Sequence, residues 1–185
     1  AYLEQNGIRV EAYEHIVSYL EQLESGKRIL LDQRYISYTH YKSLCDKHTI
    51  VEKKNPTEAL KAVKNPVELA KMEDIYLKDS VAVTKFIYWL KTNIGKQKIT
   101  ELSAAEYLEG LREQGENYMG PSFEPIVAYG ANGAMCHYSP SEESDTELLP
   151  ESFVLFDTGG QYLEGTTDIT RTIALGPCSD EQKKH

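Results

Sequence analysis

A chain of 185 residues with 41% hydrophobic content is long enough for one large domain or two small ones. Asp and Glu outnumber Lys and Arg by 29 to 20, and the resulting net charge of -9 argues against a nucleic-acid-binding surface. No apolar run approaches the ~20 residues of a membrane span, which argues against membrane insertion. The three cysteines, Cys45, Cys136 and Cys178, show no paired spacing, and with no signal peptide evident they point to a reducing, cytoplasmic setting. The sequence opens on Ala1 rather than methionine, so it reads as a piece of something longer.

In chain order, Ile16, Val17, Leu20 and Leu23 recur at helical spacing between Tyr13 and Leu23, before Ser25-Gly26. Arg28 to Asp32 reads as a short strand, residues 37–47 as a helix and Thr49 to Glu52 as a second strand. This alternation implies strands of one sheet with helices packed on it, the tail end of an α/β domain. Asn55-Pro56 and Asn65-Pro66 bracket a shift in composition, which sets the domain boundary between residues 64 and 65.

Asn65 can cap a helix that has Pro66 at its first position and Glu68 at its third. That helix should run to about Asn93, with Leu69, Met72, Ile75 or Tyr76, Val83, Phe86, Ile87 and Leu90 inward, and stop at Gly95. Ser103-Ala104-Ala105-Glu106 has the form of a capping box for a helix ending near Gly115. After Gly120-Pro121 the pattern turns strand-like: Phe123 to Tyr129, a turn at Ala131-Asn132-Gly133, and a returning strand from Ala134 to Tyr138. A polar, acidic loop from Ser139 to Glu151 leads into the last segment. Helices followed by antiparallel hairpins imply α+β layering.

The stretch from Phe153 to Leu175 organises the chain. Val154, Leu155 and Phe156 form an apolar run ending at Asp157. Thr166, Asp168, Thr170 and Thr172 alternate with Thr167, Ile169, Arg171 and Ile173, as on the two faces of a strand. Leu163-Glu164-Gly165 offers a turn, with Gly165 supplying a positive φ if one is needed, so the segment reads as a hairpin with one carboxylate on each arm. A symmetric pairing does not oppose the two aspartates directly; a bulge at Gly159-Gly160 would re-aim Asp157 towards Asp168. Two close carboxylates require a shared proton or a cation between them, and the flanking threonines favour the cation. Asp is also common near turns, so both residues read equally as strand-end groups facing water.

Of the histidines, His15, His40, His48 and His185 read as structural or solvated. His137, in A-M-C-H-Y after an Asn-Gly turn, is the one placed to bind substrate, move a proton or ligate metal, although alone it also reads as structural. Its neighbour Cys136 should point to the opposite, buried face, which disfavours a thiol nucleophile. The chain has no P-loop, no G-x-S-x-G and no cysteine-based zinc pattern.

Three segments, G-P-S-F-E-P-I-V from Gly120, G-A-N-G-A-M-C-H-Y from Gly130 and D-T-G-G-Q-Y-L-E-G-T-T-D-I-T-R-T from Asp157, make the chain resemble the aminopeptidase P (Xaa-Pro aminopeptidase) family. The helix from Pro66 and the T-E-L-S-A-A start of the next fit as well, and residues before about Asn65 resemble the end of the family's creatinase-type domain. The resemblance implies a pita-bread fold, here incomplete: residues 1–64 the end of an N-terminal or middle α/β domain, residues 65–185 the first half of the catalytic domain. It further implies two divalent metal ions, manganese foremost with cobalt or zinc as substitutes, and five metal ligands. By match, Asp157 binds one ion and Asp168 bridges both, while His137 corresponds to the active-site histidine near the substrate. The remaining His and two Glu ligands belong to the second half of the domain, and no match for them is found up to His185, so the chain alone should be inactive.

The implied reaction is hydrolysis, through a dinuclear metal-bound hydroxide, of the bond between an N-terminal residue and a penultimate proline. The implied partner is a peptide substrate, with no nucleic acid or membrane, and members of the family often form homodimers. Prolidase, which shares the fold and metals but cleaves dipeptides, is the nearest alternative. Creatinase shares the fold without metals, and retention of both aspartates counts against it. A non-catalytic pita-bread module that binds proteins or peptides is the alternative from another class.

Overall fold

The computed structural model describes residues 2–184, so His185 lies outside the described residues. The chain divides into two compact units, residues 1–63 and 64–185.

The first unit runs α1 (Tyr2–Gln5), α2 (His15–Glu21), β1 (Arg28–Leu31), α3 (Tyr38–Cys45), β2 (Thr49–Glu52) and α4 (Pro56–Ala62). β1 and β2 belong to one sheet, as the helix-strand alternation predicts, and they pair in parallel from Arg28 with Thr49 to Leu31 with Glu52. Ser37 caps α3, its side chain accepting from the His40 amide, and Asn55 caps α4 through the Thr57 amide. α4 falls between the two Asn-Pro pairs that mark the domain boundary in the sequence, a segment for which no helix is expected from the sequence. Asp32, at the end of β1, is gripped by Arg34 at 2.7 and 2.9 Å, and these hydrogen bonds hold its carboxyl down at about 2. Leu44 is the one buried hydrophobic residue among the described residues of this unit; His48 is buried beside it in the chain.

The second unit opens with α5 (Pro66–Asn93), 28 residues long. Its start is a reciprocal capping box: Asn65 Oδ1 accepts from the Glu68 amide at 3.0 Å, and Glu68 Oε2 accepts from the Asn65 amide at 2.7 Å. It ends where Gly95 takes φ +75°, a left-handed conformation that a glycine adopts without a Cβ penalty. Ile75, Val83, Phe86 and Leu90 are buried as predicted, whereas Leu69 is exposed because the first two turns of α5 bury nothing. The cap of α6 (Glu101–Glu113) lies three residues before the start of the expected box. Thr100 is the cap and Ser103 is its reciprocal partner at the third position, so the serine is one end of the box and not its start.

Behind the helices lie β3 (Tyr118–Pro121), β4 (Ile126–Tyr129), β5 (Phe153–Thr158), β6 (Gly160–Tyr162), β7 (Gly165–Thr166) and β8 (Ile169–Ala174). They form two antiparallel three-stranded sheets, β4-β5-β8 and β3-β6-β7. Val154 and Phe156 of β5, Val127 of β4 and Ile169 of β8 pack against Val83, Phe86 and Leu90 of α5 and against Ala104 and Leu108 of α6. Phe86 meets Phe156 edge to face at 5.2 Å between centroids, and truncating either ring should cost about 3–5 kcal/mol. This apolar layer fixes one face of the hairpin and leaves the other to chemistry.

The expected strand from Phe123 begins at Ile126, and the returning strand from Ala134 to Tyr138 does not form. Residues 130–134 make a 3₁₀ turn, and β4 takes β5 as its partner instead.

Candidate functional site

The hairpin keeps one register along its whole length. Asp157 pairs with Thr170 and Thr158 with Ile169; beyond the break, Gln161 pairs with Thr166 and Tyr162 with Gly165. Gly159 therefore falls opposite Asp168, and no residue is inserted at Gly159-Gly160. The bulge expected there lies on the neighbouring strand, between Tyr118 and Gly120, where Gly120 has φ +132°. The turn needs no positive φ at Gly165; a Cβ there would come within 2.9 Å of Met72 Sδ and 3.0 Å of Ile75 Cδ1, side-chain ends that would have to shift to admit it.

Residues directly opposite share a face, so this register sets Asp157, Asp168, Thr170 and Thr172 on one side, away from Val154, Phe156 and Thr158. Asp157 and Asp168 are diagonal neighbours, a relation that separates Cα atoms by about 7–8 Å. Thr170 Oγ1 donates to Asp157 Oδ1 at 2.6 Å. Among the described residues no hydrogen bond or ion pair engages Asp157 Oδ2 or either oxygen of Asp168. Three carboxylate oxygens on one face thus remain free to accept. Asp168 and Thr170 are exposed and Asp157 is half-buried.

The opposite face is clamped. Thr158 follows Asp157 and Thr167 precedes Asp168, and both threonines are completely buried. Arg112 of α6 donates from Nη2 to Thr158 Oγ1 at 3.0 Å and from Nε to Asp79 Oδ1 of α5 at 2.6 Å. Thr167 Oγ1 donates to Asp79 Oδ2 at 2.6 Å and accepts from the Gly160 amide at 2.9 Å. Tyr162 Oη reaches Asp79 Oδ1 at 3.4 Å; burial, then the Asp79 charge, push its hydroxyl up to about 12. From the side, Ser122 donates its amide to the Gly159 carbonyl at 3.0 Å and its hydroxyl to the Thr167 carbonyl at 2.9 Å. A Cβ on Gly159 would lie 2.0 Å from that same carbonyl oxygen, so only glycine fits opposite Asp168.

His137 is exposed, on the loop after the 3₁₀ turn, with φ +56°. The loop is folded onto Glu101, the first residue of α6, which is 0% exposed. Glu101 Oε1 accepts from the Tyr129 amide at 2.6 Å, Oε2 accepts from Tyr138 Oη at 2.7 Å, and Asn132 Nδ2 lies 3.1 Å from both oxygens. Tyr138 must turn inward to serve this carboxylate, which explains why Ala134 to Tyr138 cannot run out as a strand. Cys136, expected to be buried, is exposed for the same reason: in a turn, neighbours need not alternate. Among the described residues no group of three or more His, Cys, Asp or Glu is placed to hold a metal ion.

Asp79, Arg112 and Glu101 are not among the residues that the motifs single out as functional, although Glu101 stands in the T-E-L-S-A-A element, yet the sequence carries a signal for each. Asp79 stands four residues after Ile75 and four before Val83, on the inward stripe, and Arg112 stands four after the buried Leu108. Glu101 stands three before the buried Ala104. A charge on an apolar stripe needs a partner, and here each has one.

Residues 70–185 match the model of metallopeptidase family M24, and residues 1–68 match that of the creatinase/prolidase N-terminal domain. Xaa-Pro aminopeptidase 2 of Mus musculus is 36% identical over 178 residues, covering 96% of this chain and 26% of the relative. A probable Xaa-Pro aminopeptidase P of Verticillium alfalfae is 37% identical over 184 residues, covering 95% and 30%. Among solved structures, the X-prolyl aminopeptidase of Caenorhabditis elegans, described as a cytosolic enzyme with a di-nuclear active site, superposes with a TM-score of 0.87 at 25% identity, over 97% of this chain and 30% of that one. A prolidase from Thermococcus sibiricus superposes at 0.67 with 27% identity, over 95% of this chain and 46% of that one. The chain thus spans between a quarter and a third of the curated relatives and has the fold of the pita-bread aminopeptidase and prolidase structures over most of its length. With its hairpin, two aspartates and helical backing all inside the matched segment, the chain belongs to metallopeptidase family M24.

Proposed function

We propose that this chain is part of a metal-dependent Xaa-Pro aminopeptidase, which removes an N-terminal residue from a peptide with proline in second position. In this reading residues 1–64 end a creatinase-type domain and residues 65–185 form the first half of the catalytic domain. Asp157 and Asp168 are metal ligands, with Asp168 shared between two ions, and His137 contacts the substrate. The observation that carries the reading is the common register of the hairpin, which gives both carboxylates one face and leaves three of their oxygens unclaimed.

The donors on that face fit hard to borderline divalent cations. Carboxylate and hydroxyl oxygens favour manganese, with cobalt or zinc as substitutes. Such a pair of ions supplies, when bound, an activated water and Lewis-acid stabilisation of the developing oxyanion. The protein's part is orientation. Thr170 fixes the rotamer of Asp157 by holding Oδ1, which turns Oδ2 outward. Gly159 keeps the space opposite Asp168 free of a side chain. The Glu101 network holds the loop that presents His137.

Two carboxylates are fewer than two ions require, so the isolated 185 residues should not hydrolyse a Xaa-Pro peptide; chelator-sensitive turnover by them would refute this. In the full-length protein, Asp168→Asn should abolish manganese-dependent activity, and unchanged activity would refute the bridging role. Turnover of a Xaa-Pro-Xaa tripeptide over a Xaa-Pro dipeptide separates the aminopeptidase from a prolidase. The sequence relatives at 36% and 37% identity are named as Xaa-Pro aminopeptidases, which supports the former. Three free cysteines support a cytoplasmic setting. No helix among the described residues is long and apolar enough to cross a membrane.

A further inference from the structure

We propose that Asp79 and Arg112 are positioning residues that set the spacing of the two aspartates by gripping the threonine next to each; this rests on the reading of Asp157 and Asp168 as metal ligands. The sequence around the site is a mirror, Asp157-Thr158 on one arm and Thr167-Asp168 on the other. Successive side chains of a strand point to opposite faces, so each outward carboxylate shares its backbone with an inward hydroxyl. Both hydroxyls end on one ion pair. Thr158 Oγ1 accepts from Arg112 at 3.0 Å, Thr167 Oγ1 donates to Asp79 at 2.6 Å, and Arg112 holds Asp79 at 2.6 and 3.3 Å. The guanidinium and the carboxylate are planar, nearly rigid groups, so their pairing fixes the distance between the two arms at the level of the aspartates.

The hairpin's own ladder is thin at this point. Across the break between Thr158 and Gly160 one backbone hydrogen bond remains, from the Thr167 amide to the Gly160 carbonyl at 2.9 Å, while the Gly160 amide is satisfied by the Thr167 side chain rather than by a backbone carbonyl. The arms are therefore least constrained by the sheet where the carboxylates need the most constraint. An apolar pair of similar volume would fill the space without desolvating two charges, but it would leave both hydroxyls unheld. An ion pair that is 1% and 0% exposed at this place is accounted for by the grip it provides.

The test titrates manganese chloride alone into the metal-free full-length protein by calorimetry and records the visible spectrum of the cobalt form. Thr167→Val, which removes the hydroxyl and keeps the volume, should weaken manganese affinity roughly 10- to 100-fold and shift the cobalt bands. Thr167→Ser, which restores the hydroxyl, should return both to wild type. Wild-type affinity and an unaltered cobalt spectrum in folded Thr167→Val would overturn the positioning role while leaving the ligand assignment standing. Thr158→Val removes the Arg112 contact alone and is read in the same way where Thr167→Val fails to fold. A wild-type protein that takes up neither ion would overturn the metal reading, and the positioning role with it.

Discussion

Asp79 and Glu101 are both completely buried on the helices that back the sheet, yet Asp79 faces a cation and Glu101 faces only dipoles. Asp79 has a two-pronged arginine and two hydroxyls, contributed from as far as 88 residues away along the chain. Glu101 has a backbone amide, an asparagine and a tyrosine, all within 37 residues, and no ion pair among the described residues. It also occupies the first position of α6, where the unpaired amides of the helix favour negative charge. The two solutions suit what they hold. A rigid ion pair spans two helices and two strands; a set of adaptable dipoles folds one irregular loop back onto a helix end. The difference also sets what each would leave behind if broken.

Removing the charge of Asp79 strands a guanidinium in the interior, where Arg112 Nη1 already has no partner among the described residues. Asp79→Asn should therefore destabilise the protein by about 3–5 kcal/mol in urea unfolding. The double variant Asp79→Leu/Arg112→Met should recover much of that loss, because neither charge is then orphaned. An additive double variant would show that the pair is not coupled. Glu101→Gln strands no charge. It turns an amide towards the donors of Asn132 and Tyr138, and should cost less, about 1–3 kcal/mol. Hydrogen exchange separates the two regions: Glu101→Gln should speed exchange at the Tyr129 amide and spare the Gly160 amide, and Asp79→Asn should do the reverse. Equal acceleration at both amides in either variant would mean that the two networks open as one.

The elements most legible in the sequence are those whose signals are local. The boundaries of α5 follow from Asn65, Pro66, Glu68 and Gly95, all within a few residues of its ends, and β2 from the short run Thr49-Ile50-Val51-Glu52. The two faces of the hairpin follow from period two alone, which is enough to put Asp157 and Asp168 on the arms of one element. What local signals do not carry is long-range. Met135, Cys136, His137 and Tyr138 have the residue types of a strand, but Tyr138 bonds a carboxylate 37 positions earlier and curls the segment into a turn. The register at Gly159 is hidden in the same way, because paired glycines resemble an insertion. Gly159 answers instead to the close approach of the Thr167 carbonyl and Ser122, and Gly160 to the rings of Tyr162 and Tyr118. Tertiary partners of this kind leave only an oblique mark, a charge or a glycine where the local pattern asks for neither.

The smallest effect sharpens the same contrast at alkaline pH. Tyr162 Oη is the weakest contact of Asp79, at 3.4 Å, so Tyr162→Phe should cost less than about 1 kcal/mol at neutral pH. Above pH ~10 that cost shrinks and then reverses. The hydroxyl is pushed up to about 12 in the folded protein, by burial first and the Asp79 charge second, against an ordinary value of about 10 in the unfolded chain. Below pH ~10 both states keep the proton and the contribution is constant. Between about 10 and 12 the unfolded chain releases a proton that the folded state retains, so stability falls as pH rises through this window. Tyr118, Tyr129 and Tyr138 are also pushed up by burial and add slopes of the same sign. Tyr162→Phe should therefore flatten the fall in the urea midpoint between pH 10 and 12 without abolishing it, and an unchanged slope would show that the Tyr162 hydroxyl is not held near Asp79 in solution.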